Sequence, residues 1–148
     1  MMNRRLFLKK GCSLCVAVAA AGSAGVLLSG CSAIPVISAK TENNKIAVPK
    51  SSYAEGEKLK LIRTASLDFD ILLVRKSADE YAALLMRCTH ADNILIANSG
   101  GLSCNLHGST FDLEGKVTLG PATQNLVRYT TRTDAQTIFI HTNELQKI

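Results

Sequence analysis

Cys88-Thr89-His90-Ala91-Asp92-Asn93-Ile94-Leu95-Ile96-Ala97-Asn98-Ser99-Gly100-Gly101-Leu102-Ser103-Cys104-Asn105-Leu106-His107-Gly108-Ser109 is the stretch on which the fold turns. Its middle is a hairpin signal: two apolar runs, Ile94-Leu95-Ile96 and Gly101-Leu102-Ser103-Cys104, flank Asn98-Ser99-Gly100-Gly101. Its ends carry chemistry. A C-x-H pair precedes the hairpin and a C-x-x-H pair follows it, thirteen residues apart. Thiolate and imidazole are the ligand types of zinc and of iron–sulfur sites. One Cys and one His therefore come from each of two loops.

Outward from the hairpin, short apolar runs alternate with turn residues. Ile46-Ala47-Val48 ends at Pro49, Lys58 to Arg63 alternates, and Ile71-Leu72-Leu73-Val74 is a compact apolar strand. Tyr81 to Cys88 has helical propensity, but its place between strands favours a strand. Phe111 and Val117 bracket a second turn, Asp112-Leu113-Glu114-Gly115-Lys116, and Leu126 to Thr130 and Thr137 to Ile140 close the chain. Seven to nine short strands about ten residues apart predict an all-β fold, an antiparallel sandwich or small barrel over residues 45–148. Asp112 with Glu114, and Asp68 with Asp70, read as solvated turn residues and not as general acids or bases. His141 has no partner motif and reads as structural.

Residue types alone leave three readings of the four ligands. A structural zinc site takes the same Cys₂His₂ set, although zinc fingers pair C-x₂₋₄-C with H-x₃₋₅-H. A Cys88–Cys104 disulfide suits an exported chain with two cysteines in its folded part. The third is an iron–sulfur cluster with mixed ligands.

The chain resembles the Rieske family in that third respect, and the resemblance extends past the ligands. His107-Gly108-Ser109-Thr110-Phe111-Asp112, Gly115, Leu119-Gly120-Pro121-Ala122, Leu126 and Tyr129 are similar to the family's run after its second cluster loop. The resemblance covers Cys88 to Tyr129 closely. It implies an antiparallel β domain with a small cluster-binding subdomain and one [2Fe–2S] cluster per chain. Cys88 and Cys104 would hold one iron, and His90 and His107 the other. Ser109 would donate a hydrogen bond to a cluster sulfur, and Gly120-Pro121 would shield a third side. Neutral imidazoles make such a cluster easier to reduce, at roughly −150 to +300 mV against about −400 mV for all-Cys plant ferredoxins. Two departures stand out. Subunits of cytochrome bc complexes carry an extra cysteine in each cluster loop, where this chain has Ala91-Asp92-Asn93 and Leu106; and Phe111 stands where high-potential members often have Tyr. Both resemble Rieske-type ferredoxins.

The first thirty residues read as an address and are excluded from the fold. Asn3-Arg4-Arg5-Leu6-Phe7-Leu8-Lys9-Lys10 and the Ala/Gly/Ser-rich run after it resemble a twin-arginine (Tat) signal. That route exports folded proteins, which suits a cluster assembled before export. Leu28-Ser29-Gly30-Cys31 resembles a lipobox, so Cys31 is the expected lipidated first residue of a periplasm-facing, membrane-anchored lipoprotein. Each buried CH₂ of such an anchor contributes about 0.8 kcal/mol. The alternative is an uncleaved transmembrane anchor, for which the run is poor in Leu and Ile. Residues 31–44, with scattered small and polar side chains, read as a tether.

Charge excludes one class of partner. The formal net charge of +5 includes Arg4, Arg5, Lys9 and Lys10; without them, 13 basic residues face 12 acidic ones. With no Trp and seven aromatics, neither a basic patch nor a stacking platform for nucleic acid is expected. Two functions remain. One is a one-electron carrier with no catalytic pocket of its own, so that no catalytic residue is assigned. The other is an electron-transfer subunit of a quinol-oxidising complex or another periplasmic oxidoreductase. The partners implied are redox proteins such as a cytochrome b or c, and the membrane through the anchor. At this length no mononuclear-iron domain of the oxygenase branch is expected.

Overall fold

A strand whose residues are all buried needs cover on both faces. Ile71 to Val74 and Tyr81 to Leu85 are such strands, and they organise the protein. The computed structural model describes residues 33–148. The expected export signal and the expected lipidation site, Cys31, lie outside these residues.

Among the described residues twelve strands run β1 (Val36–Ser38), β2 (Thr41–Glu42), β3 (Lys45–Pro49), β4 (Leu59–Arg63), β5 (Ile71–Arg75), β6 (Tyr81–Leu85), β7 (Leu95–Asn98), β8 (Gly101–Cys104), β9 (Thr110–Phe111), β10 (Val117–Leu119), β11 (Arg128–Thr133) and β12 (Thr137–Gln146). One sheet has the order β1-β4-β5-β6-β11-β12-β3-β2, the other β10-β9-β8-β7. The larger sheet curls until its edges approach. Thr41 Oγ1 on β2 lies 2.9 Å from Thr64 Oγ1 and 2.6 Å from Ser66 Oγ, just beyond β4.

The two faces of β5 and β6 divide the interior. Ile71, Leu73, Tyr81, Ala83 and Leu85 point into the curled sheet, with Ile46, Val48, Ile62, Ile138 and Ile140. Leu72, Val74, Ala82 and Leu84 point the other way, into a second core with Leu95, Leu102, Phe111 and Leu126. Cys88 and Cys104 belong to that second core. This explains why the run from Tyr81 shows no alternation: as strand β6 it serves two cores and its helical propensity is overridden, but the strand ends at Leu85, short of the expected Cys88.

Three expectations shift. Within the expected tether Val36–Ser38 and Thr41–Glu42 form β1 and β2, and β1 pairs parallel with β4, Val36 opposite Leu61. The strand expected from Leu126 starts at Arg128. Leu126 instead donates its N–H to Gly115 O at 2.8 Å and buries its side chain in the second core. Among the described residues the strands number twelve because the expected tether adds β1 and β2 and the cluster end adds the short β9 and β10. The hairpin falls where its turn signal stands, Leu95 opposite Cys104 and Asn98 opposite Gly101. Gly101 is required there: at φ 143°, a Cβ would meet Phe111 O at 2.3 Å.

Candidate metal centre

The two Cys/His loops are built by one backbone plan. The C=O of Cys88 accepts the N–H of Asp92 at 3.0 Å, and the C=O of Cys104 accepts the N–H of Gly108 at 3.0 Å. The N–H of Cys88 reaches Asn93 O at 2.8 Å, and that of Cys104 reaches Ser109 O at 2.9 Å. Each cysteine thus closes a turn with the residues four and five positions ahead. The fourth position has positive φ in both, Asp92 at 49° and Gly108 at 80°. Nothing lies within 4 Å of a Cβ at Gly108, so the backbone conformation and not space asks for glycine there. Asp92 tolerates its φ as Asp can, and its carboxylate holds Arg87 Nε at 2.8 Å.

These turns separate the ligand types by depth. Cys88 and Cys104 are buried and free, with no disulfide between them. His90 and His107 are exposed at the tip. Burial pushes the Cys104 thiol up. The Leu106 N–H, the Asn93 side chain, Cys88 and the His107 N–H outweigh it and hold the thiol below its ordinary value. These donors favour the anionic form of the Cys104 sulfur that metal ligation needs.

The imidazoles converge. Their Nδ1 atoms lie 3.2 Å apart, with ring centroids 4.9 Å apart and planes at 82°. At that separation the two imidazole nitrogens would be close enough to hold one metal ion between them. Among the described residues no three His, Cys, Asp or Glu side chains gather as a single ion would need. The donors divide into a buried Cys pair and an exposed His pair, an arrangement suited to a centre of two metal atoms.

A third loop completes the tip. It runs from β10 through the cis Gly120-Pro121 peptide. Ala122 donates its N–H to Ser109 Oγ at 3.0 Å, and Thr89 Oγ1 donates to Gln124 O at 2.6 Å. Asn93 Nδ2 donates to Cys104 Sγ at 3.8 Å. Each pair of loops is thus tied by at least one hydrogen bond. Ser109 is fully buried, and its oxygen accepts from Ala122 while its own O–H is left to donate. Phe111 is 1% exposed and packs in the core that holds both cysteines.

The remaining candidates lie elsewhere. His141 is buried on β12, with Nδ1 3.4 Å from Glu144 Oε1. Asp112 Oδ1 accepts the N–H groups of Glu114 and Lys116, a turn role. Asp70 forms a two-toothed ion pair with Arg63 at 2.7 and 3.0 Å. The ties made by Asn93 and Thr89 were not apparent from the sequence. One signal was available: Cys88-x₄-Asn93 and Cys104-x₄-Ser109 align as equivalent turns.

The family model described as Rieske [2Fe–2S] domain matches residues 43–130. The mitochondrial cytochrome b-c1 complex subunit Rieske of Theropithecus gelada is 42% identical over 57 residues, 36% of this chain and 21% of that protein. The corresponding subunit of Pan troglodytes matches to the same extent. The chain thus spans about a fifth of the length of the curated relatives it matches. The cyanobacterial plasma membrane Rieske protein PetC3 from Synechocystis PCC 6803 is similar in structure, with TM-score 0.53, 23% identity and coverage of 64% of this chain and 96% of that one. A chain from the complex of reduced oxygenase and oxidized ferredoxin in carbazole 1,9a-dioxygenase gives TM-score 0.55 at 14% identity, covering 72% and 100%. At these identities the likeness is one of fold.

Proposed function

This chain belongs to the Rieske [2Fe–2S] domain family, and from that premise we propose that it is a membrane-anchored one-electron carrier whose cluster is held by Cys88, His90, Cys104 and His107. The family's cofactor is a [2Fe–2S] cluster, and when bound it supplies one reversible electron. The observation that carries the ligand assignment is the pairing of donors: two buried thiols beneath, two converging imidazoles at the surface. The thiols sit in an apolar core that excludes water. The imidazoles face solvent, where a partner can approach. Ser109, held by Ala122, is the candidate donor to a cluster sulfur. Spectroelectrochemistry tests the carrier role. A reversible one-electron couple between roughly −150 and +300 mV is expected for two-His ligation. A couple near −400 mV would contradict the two-His ligation, and the lack of any reversible couple would contradict the carrier role.

The export features complete the proposal. Arg4 and Arg5 direct the folded protein outward, and Cys31 anchors it by lipid at the periplasmic face of the membrane. No helix among the described residues is long and apolar enough to cross a membrane. A second reading, a subunit of a quinol-oxidising complex, has the local similarity to cytochrome b-c1 Rieske subunits behind it. The absence of a second cysteine in either cluster loop speaks for the free carrier. A cytochrome b gene beside this one would favour the complex.

A further inference from the structure

We propose that Asn93 is a positioning residue of the cluster, one that ties the two ligand loops together and sets the reduction potential through the sulfur of Cys104. The proposal rests on the ligand assignment above. Asn93 occupies in the first loop the place that Ser109 occupies in the second, five residues after the cysteine, with its carbonyl accepting that cysteine's N–H. Its side chain then crosses to the other loop, and Nδ2 donates to Cys104 Sγ at 3.8 Å. Beside the contact between the two imidazoles and the approach of the two cysteines, it ties these loops through a side-chain hydrogen bond of its own. Cys88 and Cys104 are the only cysteines there, so no covalent bond can do that work once both ligate iron.

The bond has a direction that matters. An amide donor stabilises negative charge on sulfur, and a donor to an ionised group is stronger than one to a neutral group. The reduced cluster carries one more electron than the oxidised cluster, with no bond made or broken. Asn93 therefore favours the reduced form, as outer hydrogen bonds tune metal centres generally. Asn93→Ala removes the donor. Asn93→Asp keeps the size and the backbone carbonyl and replaces the donor with an anion.

The test is a redox titration of the intact holoprotein and both variants, normalised to cluster content and read by EPR. At fixed ambient potential, the reduced-to-oxidised ratio of Asn93→Ala should fall five- to thirtyfold, about 40–90 mV at 59 mV per tenfold. Asn93→Asp should fall further, and both should lose cluster faster than wild type. Unchanged midpoints in the clusters that survive would overturn the proposal, whatever the retention. If Asn93→Ala does not fold, Asn93→Asp decides alone. Wild-type protein purified with no [2Fe–2S] cluster would overturn the ligand assignment itself, and this inference with it. An unchanged midpoint in a loaded variant overturns only the role of Asn93.

Discussion

Tuning is decided by single atoms, and Ser109 presents the clearest case. Its oxygen already accepts from Ala122 N–H, so the hydroxyl both braces the third loop and has a proton to donate. If a bond to cluster sulfur changes strength by about 1–2 kcal/mol between redox states, Ser109→Ala lowers the potential by roughly 40–90 mV. An unchanged midpoint with faster cluster loss would leave only the brace. Phe111 sits fully buried in the core that holds the cysteines. Phe111→Tyr adds a hydroxyl there and should raise the potential; voltammetry reads both variants. At the ligands, His107→Cys should retain a cluster at lower potential, because an anionic thiolate replaces a neutral imidazole. The candidate ligands stood out in the sequence because each Cys/His pair is local, within four residues. The Asn93–Cys104 bond was not, because it spans two loops brought together only by the β7–β8 hairpin.

Strands decide how the site is supported. β5 faces both cores, so neighbouring side chains have different duties. Leu72→Ala and Leu73→Ala each remove a fully buried Leu, at a cost of about 2–5 kcal/mol. Leu72 lies in the core that carries Cys88 and Cys104, and Leu73 does not. Leu72→Ala should therefore shorten cluster lifetime well below the melting temperature more than Leu73→Ala does. Equal lifetimes, followed by loss of visible absorbance, would show that the cores do not act separately. The turn between β11 and β12 sets a pH dependence. Backbone N–H groups of Gln136 and Thr137 hold the Asp134 carboxyl below its ordinary value. A carboxyl held low in the folded state stabilises above its unfolded pKa of about 3.9 and loses that effect as pH falls through the folded value. Melting curves should show Asp134→Ala less stable than wild type at pH 7, with the gap closing in strong acid. A constant gap would contradict the cap. The core strands were readable from their apolar runs. β1 was not, since three residues after Pro35 show no period and owe their place to parallel pairing with a distant strand.

At the scale of the whole molecule, a β domain carrying a surface redox tip needs a means of staying near its partners. The Cys31 anchor and the twin-arginine address supply it in the proposed function. Cys31→Ala should release the protein from membranes or leave the precursor uncleaved, and Arg4→Lys with Arg5→Lys should block export. Intact mass of the exported protein starting at Met1 or Met2 would favour an uncleaved anchor. The central claim is a two-iron centre with paired Cys and His ligands, and metal analysis of the purified wild-type protein tests it most directly. Two iron and two acid-labile sulfides per chain are expected, with the low-average-g Rieske EPR spectrum after dithionite. Protein prepared with iron that nevertheless holds only zinc, and no labile sulfide, would contradict it.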